Sequence, residues 1–224
     1  MPYKGRKNYN KKKSYSKNSK AYVKSIAKQV VMDSAETHRL DTSFQAAALS
    51  TSASIWRLTA IGQGTTDADR IGDKVQMKSM LLNCTLKSNN VAGATMTQPV
   101  RLLIVRGKLR YNSSELEASD FPAWNQNFDE DMTDLYTVLY DKVFTPSLHR
   151  ERVYNGTDTI LYQDSRSMNF QIHPRVSSTV RWDDAKTGAN QPAIVGDIYL
   201  IGIGSTAALG PLGRFDLKIT YKDL

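Results

Sequence analysis

The 224-residue chain has one cysteine, three histidines and seven prolines, and no aspartate or glutamate before Asp33. Each shortage excludes something. A lone Cys84 rules out an intramolecular disulfide framework and a cysteine-rich zinc site, so neither an oxidising compartment nor a metal-stapled fold is indicated. Its expected role is that of a small buried hydrophobe. The N-terminus lacks the apolar core of a signal peptide, and the longest apolar run, around Ile198–Ile203, is far too short to cross a bilayer. The expectation is a soluble chain that does not enter the secretory route and has no membrane partner. The glycosylation patterns at Asn112 and Asn155 then carry no meaning.

Catalytic and cofactor motifs are also missing. No Gly-x-x-x-x-Gly-Lys-Ser/Thr loop and no Gly-x-Ser-x-Gly elbow occurs, and His38, His149 and His173 are too scattered to form a His-x-x-x-His ligand pair. The run from Gly202 to Ala207 (GIGSTA) imitates a dinucleotide fingerprint. Too little chain follows it for a βαβ unit, so a loop is expected there. Asp129, Glu130, Asp131 and Asp134 cluster, but a calcium loop starting at Asp129 would need Gly at 134 and Glu at 140, where Asp134 and Tyr140 stand. A solvated acidic loop, an ion-pair partner for a neighbouring chain, or a cation shared between subunits stay open. Trp56, Trp124 and Trp182 do not combine with paired carboxylates into a sugar-cleaving cleft, and core packing explains them more simply. The expectation is a protein that is not an enzyme and uses no cofactor or metal.

What the chain does have is segregated charge. The net charge is +8, yet residues 1–32 alone carry +10 from Lys4, Arg6, Lys7, Lys11, Lys12, Lys13, Lys17, Lys20, Lys24 and Lys28. The remaining 192 residues hold 20 basic and 22 acidic side chains, a net charge of −2. Ten cations confined to one end are the footprint of a polyanion binder, and these ten are the expected nucleic-acid-binding residues. Tyr3, Tyr9, Tyr15 and Tyr22 recur among them, and aromatic faces that stack on unpaired bases favour a single strand. The cluster Lys11-Lys12-Lys13 also fits a nuclear import signal, a role compatible with packaging.

Residues 1–19 have too few aliphatic side chains to offset the entropy of ordering. From Lys20 the pattern changes: Val23, Ile26, Ala27, Val30 and Val31 follow helical spacing while Lys20, Lys24 and Lys28 repeat on another face. This predicts a short amphipathic helix over 20–31, marginal alone. Without Trp, Phe or Leu on its apolar face it does not read as a membrane helix.

Beyond Leu40 short alternating runs separated by Gly, Asn, Asp, Ser and Pro predict a mainly β domain over 41–224 behind an arm over 1–40. Expected strands are 54–60, 74–87, 99–106, 136–145, 159–163, 167–173, 193–202 and 213–222. Over 74–87, Met80, Leu82, Cys84 and Leu86 share one side, with Val75, Met77 and Leu81 expected on the other. Ser114 with Glu117 predicts a helix start, limited by Pro122. About eight strands after a basic tail, without βαβ rhythm, point to an all-β two-sheet sandwich of the jelly-roll kind. Loops 62–73 and 107–127 are expected to carry the outer face and subunit contacts.

Several stretches resemble, in their order along the chain, the capsid proteins of circular, Rep-encoding single-stranded DNA viruses, the group that includes circoviruses. They are the Lys-rich start, Gly62–Ser79 (GQGTTDADRIGDKVQMKS), Val100–Arg106 (VRLLIVR), Tyr136–Lys142 (YTVLYDK), Ile198–Ile203 (IYLIGI) and Phe215–Tyr221 (FDLKITY). The chain is also similar in size and basic N-terminal helix to the coat proteins of satellite tobacco necrosis virus and its relatives, which package RNA. It departs from circovirus coats in its shorter, Lys-dominated arm. The resemblance implies an eight-stranded viral jelly roll, with the Arg70-Ile71-Gly72 turn between the first two strands. It further implies self-assembly of about 60 copies into a closed T=1 icosahedral shell, arms inward around circular single-stranded DNA. By the same resemblance the protein belongs to the virion and, during assembly, the host nucleus, with host import factors and a cell receptor as further partners. Two alternatives stand beside it: a cellular single-strand nucleic-acid-binding β-domain, and the coat protein of a small RNA satellite virus.

Overall fold

The computed structural model describes residues 20–46, 48–89, 97–108, 119, 121–127, 134–151, 162–165, 167–182, 193–207 and 209–224. They belong to two units, Met1–Ala35 and Glu36–Leu224.

In the first unit the helical spacing from Lys20 onward forms α1 (Lys20–Ser34), three residues longer than the periodicity predicts. Its last turn closes through Ala35 N–H donating to Val31 O, and Ser34 Oγ donates to the same carbonyl. The helix has no acidic residue in its first turn and no basic residue in its last. Its own charges therefore oppose the helix dipole at both ends, Lys20 at the positive end and Asp33 at the negative one.

The second unit is built from strands. The N-terminal half supplies β1 (Thr37–Ala46), β2 (Ser54–Arg57), β3 (Lys74–Lys87), β4 (Val100–Gly107) and β5 (Tyr136–Phe144). The C-terminal half supplies β6 (Leu148–Glu151), β7 (Tyr162–Ser165), β8 (Ser167–Ile172), β9 (Thr179–Arg181), β10 (Ile198–Gly204) and β11 (Leu212–Asp223). One sheet runs β1-β11-β3-β8, with β9 pairing β3 further along; a second runs β2-β10-β4-β5; β6 and β7 form a separate pair. Every pairing between strands is antiparallel.

The strand order identifies the topology. Leaving β9 and the β6/β7 pair aside, first pairs with last (β1/β11), second with next-to-last (β2/β10), third with β8, and β4 with β5. That is one long antiparallel hairpin of eight strands, and successive pairs alternate between the two sheets. Wrapping such a hairpin into two layers produces the jelly roll. The chain is an all-β, eight-stranded jelly-roll sandwich preceded by a short helix.

The core lies between the sheets. Leu82, Cys84, Leu86, Phe215, Leu217 and Ile219 from the first sheet meet Leu102, Ile104 and Leu200 from the second. A β-bulge decides which side chains join it. β3 pairs Ser79 with Thr220 but Met77 with Tyr221, so Lys78 is an extra residue in the ladder. The bulge flips the alternation, and Val75 and Met77 lie in the core with Met80 and Leu82 instead of on the opposite side. Only Leu81 of the three residues expected there faces outward, half-buried.

Several expected boundaries move: β2 ends at Arg57 rather than at 60, and β10 begins at Ile198 rather than at 193. The sandwich begins at Thr37, so residues 37–40 belong to β1 rather than to the arm. The turn Arg70-Ile71-Gly72 lies between the second and third strands, not the first two. Gly202, Ile203 and Gly204 end β10 instead of forming a loop. Their glycines serve packing: a Cβ on Gly202 would press on Leu49 Cδ2 at 2.7 Å, and one on Gly204 would collide with the Leu49 carbonyl. Leu49 is thereby fully buried against the second sheet. The expected helix start at Ser114 and most of the acidic cluster, Asp129, Glu130 and Asp131, lie outside the described residues, as does the first part of the expected strand 159–163.

Candidate nucleic-acid interface

Of the ten basic residues expected to bind nucleic acid, Lys20, Lys24 and Lys28 lie on α1, all exposed. Lys4, Arg6, Lys7, Lys11, Lys12, Lys13 and Lys17 lie outside the described residues, together with Tyr3, Tyr9 and Tyr15. A four-residue repeat advances about 6 Å along a helix and turns about 40° past a full turn, so the three lysines form a slowly winding stripe. Tyr22 is half-buried on the same helix, and its carbonyl accepts a hydrogen bond from Ser25 Oγ at 2.8 Å. Val23, Ile26, Val30 and Val31 remain exposed apolar side chains of α1.

The loop 62–73, expected to carry subunit contacts on the outer face, is fastened to the sandwich beside the ends of β1, β9 and β11. Arg70 is fully buried, with its guanidinium 4.4 Å from the Trp182 ring centroid, Nη1 donating to Gly72 O and lying 3.5 Å from Asp73 Oδ1. Asp223 accepts from the backbone N–H groups of Ile71 and Gly72, and Tyr221 OH donates to Ala68 O at 3.0 Å. His38 stacks on Tyr221 with centroids 5.4 Å apart. Burial, with Asp223 and Asp69 nearby, raises the Tyr221 pKa, so its hydroxyl stays a donor. Ile71 alone of this loop projects a large apolar side chain to the outside, 64% exposed.

Within 107–127, residues 109–118 and 120 are outside the description. The segment 121–127 covers the far face of the second sheet. Phe121 is buried there with Leu103, Val105, Tyr199, Ile201 and Ile203, and Trp124 packs against them. Arg101 fastens the segment: it forms a two-pronged pair with Asp141 at 2.8 and 2.6 Å and donates to Gln126 O. Trp56 tilts against Phe215 in the core. Trp56 and Trp182 thus pack with the main core and Trp124 with the apolar layer on the far face of the second sheet.

The buried titratable groups have structural settings. Asp197, 2% exposed, accepts from Thr59 Oγ1, from Tyr199 OH at 2.9 Å and from Ala193 N–H at 3.1 Å. Burial raises its pKa against the pull of those donors and of Arg57. The same desolvation pushes the Cys84 thiol up to about 12, which leaves it unreactive. Among the described residues no group of three or more His, Cys, Asp or Glu could hold a metal ion, and no helix is long and apolar enough to cross a membrane.

No family model matches the chain, and no curated protein matches it. Among solved structures, a chain titled Desmodium yellow mottle tymovirus is similar over 84% of this chain and 88% of its own, at 8% identity and a TM-score of 0.33.

Proposed function

We propose that this chain is the coat protein of a small virus, that about 60 copies close into a T=1 shell, and that residues 1–28 bind the packaged single-stranded nucleic acid. The observation that carries the reading is the joining of a jelly-roll sandwich, whose own charges nearly cancel, to an arm that holds the entire excess of positive charge. The sandwich closes the shell through its edges and loops; the arm neutralises phosphates. If all ten cations engage a single strand, binding weakens with salt at a slope of about −7, and sixty arms neutralise roughly 600 phosphates. Phosphates along the N-terminal half of α1 also relieve the unfavourable charge at its positive end, so binding and helix formation reinforce each other.

DNA as the cargo and nuclear assembly, with import factors reading Lys11-Lys12-Lys13, follow from the resemblance to the circular single-stranded DNA virus coats. The reading invokes no catalysis, cofactor or membrane. The rival, a cellular single-strand binder, uses the same arm without forming particles.

The test compares the full chain with one lacking residues 1–28 by electron microscopy, size-exclusion chromatography and the ratio of absorbance at 260 and 280 nm. Uniform round particles from both, with nuclease-sensitive material only in the full-length ones, are the expected result. Monomers from both across salt and pH overturn the coat-protein reading and favour the cellular binder.

A further inference from the structure

The outward positions of the five-stranded sheet form a patterned surface. β11 presents Arg214, Lys218 and Lys222, β3 presents Lys74, Lys78 and Lys87, β9 presents Arg181, and β1 presents Arg39; all but the half-buried Lys222 are exposed. The carboxylates set among them are Asp41 and Asp216. Eight cations against two carboxylates at these outward positions contrast with residues 33–224 as a whole, where acids outnumber bases. Both carboxylates are engaged by an arginine of their own strand: Asp41 lies 2.6 Å from Arg39 and Asp216 lies 3.4 Å from Arg214. The Arg39 hydrogen bond lowers the Asp41 pKa, and the Ser43 hydroxyl, bonded at 2.7 Å, lowers that of Asp216.

The positions between the charges carry small hydrogen-bonding groups in cross-strand rows. Ser43, Asp216, Asn83 and Gln171 form one row; Gln45, Arg214, Thr85 and Asn169 form the next. An open depression of about 460 Å³ is lined by Arg39, Asp41, Ser43, Asn83, Asp216 and Lys218. The aromatic side chains of these strands, Phe44, Phe170, Phe215 and Tyr221, all pack inward on the core.

We infer that this outer face is a second contact surface for single-stranded nucleic acid, holding phosphates on Lys74, Lys87, Lys218 and Lys222. It rests on the nucleic-acid reading of the arm. The face is lysine-rich and polar, and Leu81, a large apolar member, is half-buried; that is the composition of nucleic-acid interfaces, whereas the centres of protein interfaces are depleted in lysine and enriched in aromatics. With no ring facing outward, the contact is made to phosphates alone. It is indifferent to base sequence and lost at high salt, unlike the tyrosine-bearing arm.

The experiment uses the full-length chain and a fluorescein-labelled 30-nucleotide oligo(dT), with binding followed by anisotropy across a range of NaCl concentrations. The face variant Lys74→Gln, Lys87→Gln, Lys218→Gln is expected to flatten the slope of log K against log salt by about 2, from roughly 0.7 per lost contact. The arm variant with Gln at 4, 6, 7, 11, 12, 13 and 17 flattens it by about 5 on the same basis. Lys→Arg at the three face positions keeps the parental slope, which separates lost charge from misfolding.

A face variant with the parental slope beside a flattened arm variant overturns the inference and leaves the arm reading standing. The reverse pattern removes the arm reading and keeps the face. Lysine acetylation of the unmodified protein, read by mass spectrometry, gives an independent decision. Oligo(dT) is expected to slow acetylation of Lys87 and Lys218 several-fold while Lys142, on the second sheet, is unaffected. Protection that needs no oligonucleotide and follows protein concentration assigns the face to contacts between copies and overturns the inference.

Discussion

The outer face of the five-stranded sheet is polar and charged, whereas the outer face of the four-stranded sheet is a second apolar layer beneath Phe121 and Trp124. Strand sequences record the difference. β11 alternates Phe215, Leu217, Ile219 and Tyr221 with Asp216, Lys218, Thr220 and Lys222, the mark of one dry and one wet face. β10 (IYLIGIG) is buried at every position, and β4 (VRLLIVRG) at every position but Arg106. Continuous burial in an antiparallel strand requires a cover on each side. Here one cover is the first sheet and the other is a segment from the long connection between β4 and β5. Among the described residues, β4 and β10 of the second sheet are thus covered on both sides, while the outward side of the first sheet, the basic one, is exposed.

The largest test of this contrast compares outward positions. Leu103 points away from the other sheet yet is fully buried, so Leu103→Ala is expected to destabilise by about 3 kcal/mol, as for core truncations. Lys218→Ala, outward on the first sheet, is expected to change stability by no more than about 0.5 kcal/mol. Equal, small effects of the two in urea denaturation would remove the second layer from the description.

A smaller effect separates the ion pairs of the two outer faces. Arg101 has 8% side-chain exposure and bonds both Asp141 and the carbonyl of Gln126, whereas Arg214 and Asp216 are 58% and 43% exposed. Arg101→Ala is expected to cost about 2 kcal/mol, below the loss for a fully buried pair because Asp141 keeps access to water. Arg214→Ala is expected to change stability by about 0.5 kcal/mol or less. Arg101→Lys recovers only part of the loss, since an ammonium cannot reproduce the two-pronged geometry. Equal midpoints for Arg101→Ala and Arg214→Ala would break the comparison.

How much of this was legible in the sequence depends on the range of the cause. β11 and the helix were readable because their periodicity is local, and β4 was readable as a strand from its short, equally local apolar run. β1 was missed because its inward positions, His38, Leu40, Thr42 and Phe44, include two polar residues and are flanked by Arg39 and Asp41; its membership is decided by pairing with β11, nearly two hundred residues away. The side assignment of Val75 and Met77 failed at the bulge, which period-2 counting does not contain. Phe121 read as a loop residue, and Trp124 as a packing residue without visible partners, because their cover function needs the far face of a distant sheet. Arg70 read as a turn residue, and only the fold brings Trp182 over it. Of the candidate site, the charge segregation was visible at once, since it is a property of composition. The basic face was not, because its members come from four separate strands and sit among acids in the linear chain.

The smallest expected effect is a difference in sign with pH. Asp197, beside the second sheet's β10, has a pKa raised by burial, so the folded state holds that proton more tightly than the unfolded chain, where the ordinary value is near 3.8. Stability contributed by the protonated group is present below the unfolded value and is lost as pH rises through the folded one, at no more than about 1.4 kcal/mol per pH unit for one proton. Asp216, on the first sheet's outer face, has a lowered pKa and the opposite sign: its contribution is present above 3.8 and fades as pH falls, and exposure keeps it slight. Asp197→Asn separates the two. The amide carbonyl can accept from Ala193 N–H and Tyr199 OH while its N–H₂ donates to Thr59 Oγ1, so the contacts survive and the charge does not. Denaturation midpoints of the variant between pH 4 and pH 8 are expected to be flatter than those of the parent, with the variant at least as stable at pH 8. A variant with the parent's slope would place the titrating group elsewhere and leave Asp197 charged throughout, held by its three donors and Arg57.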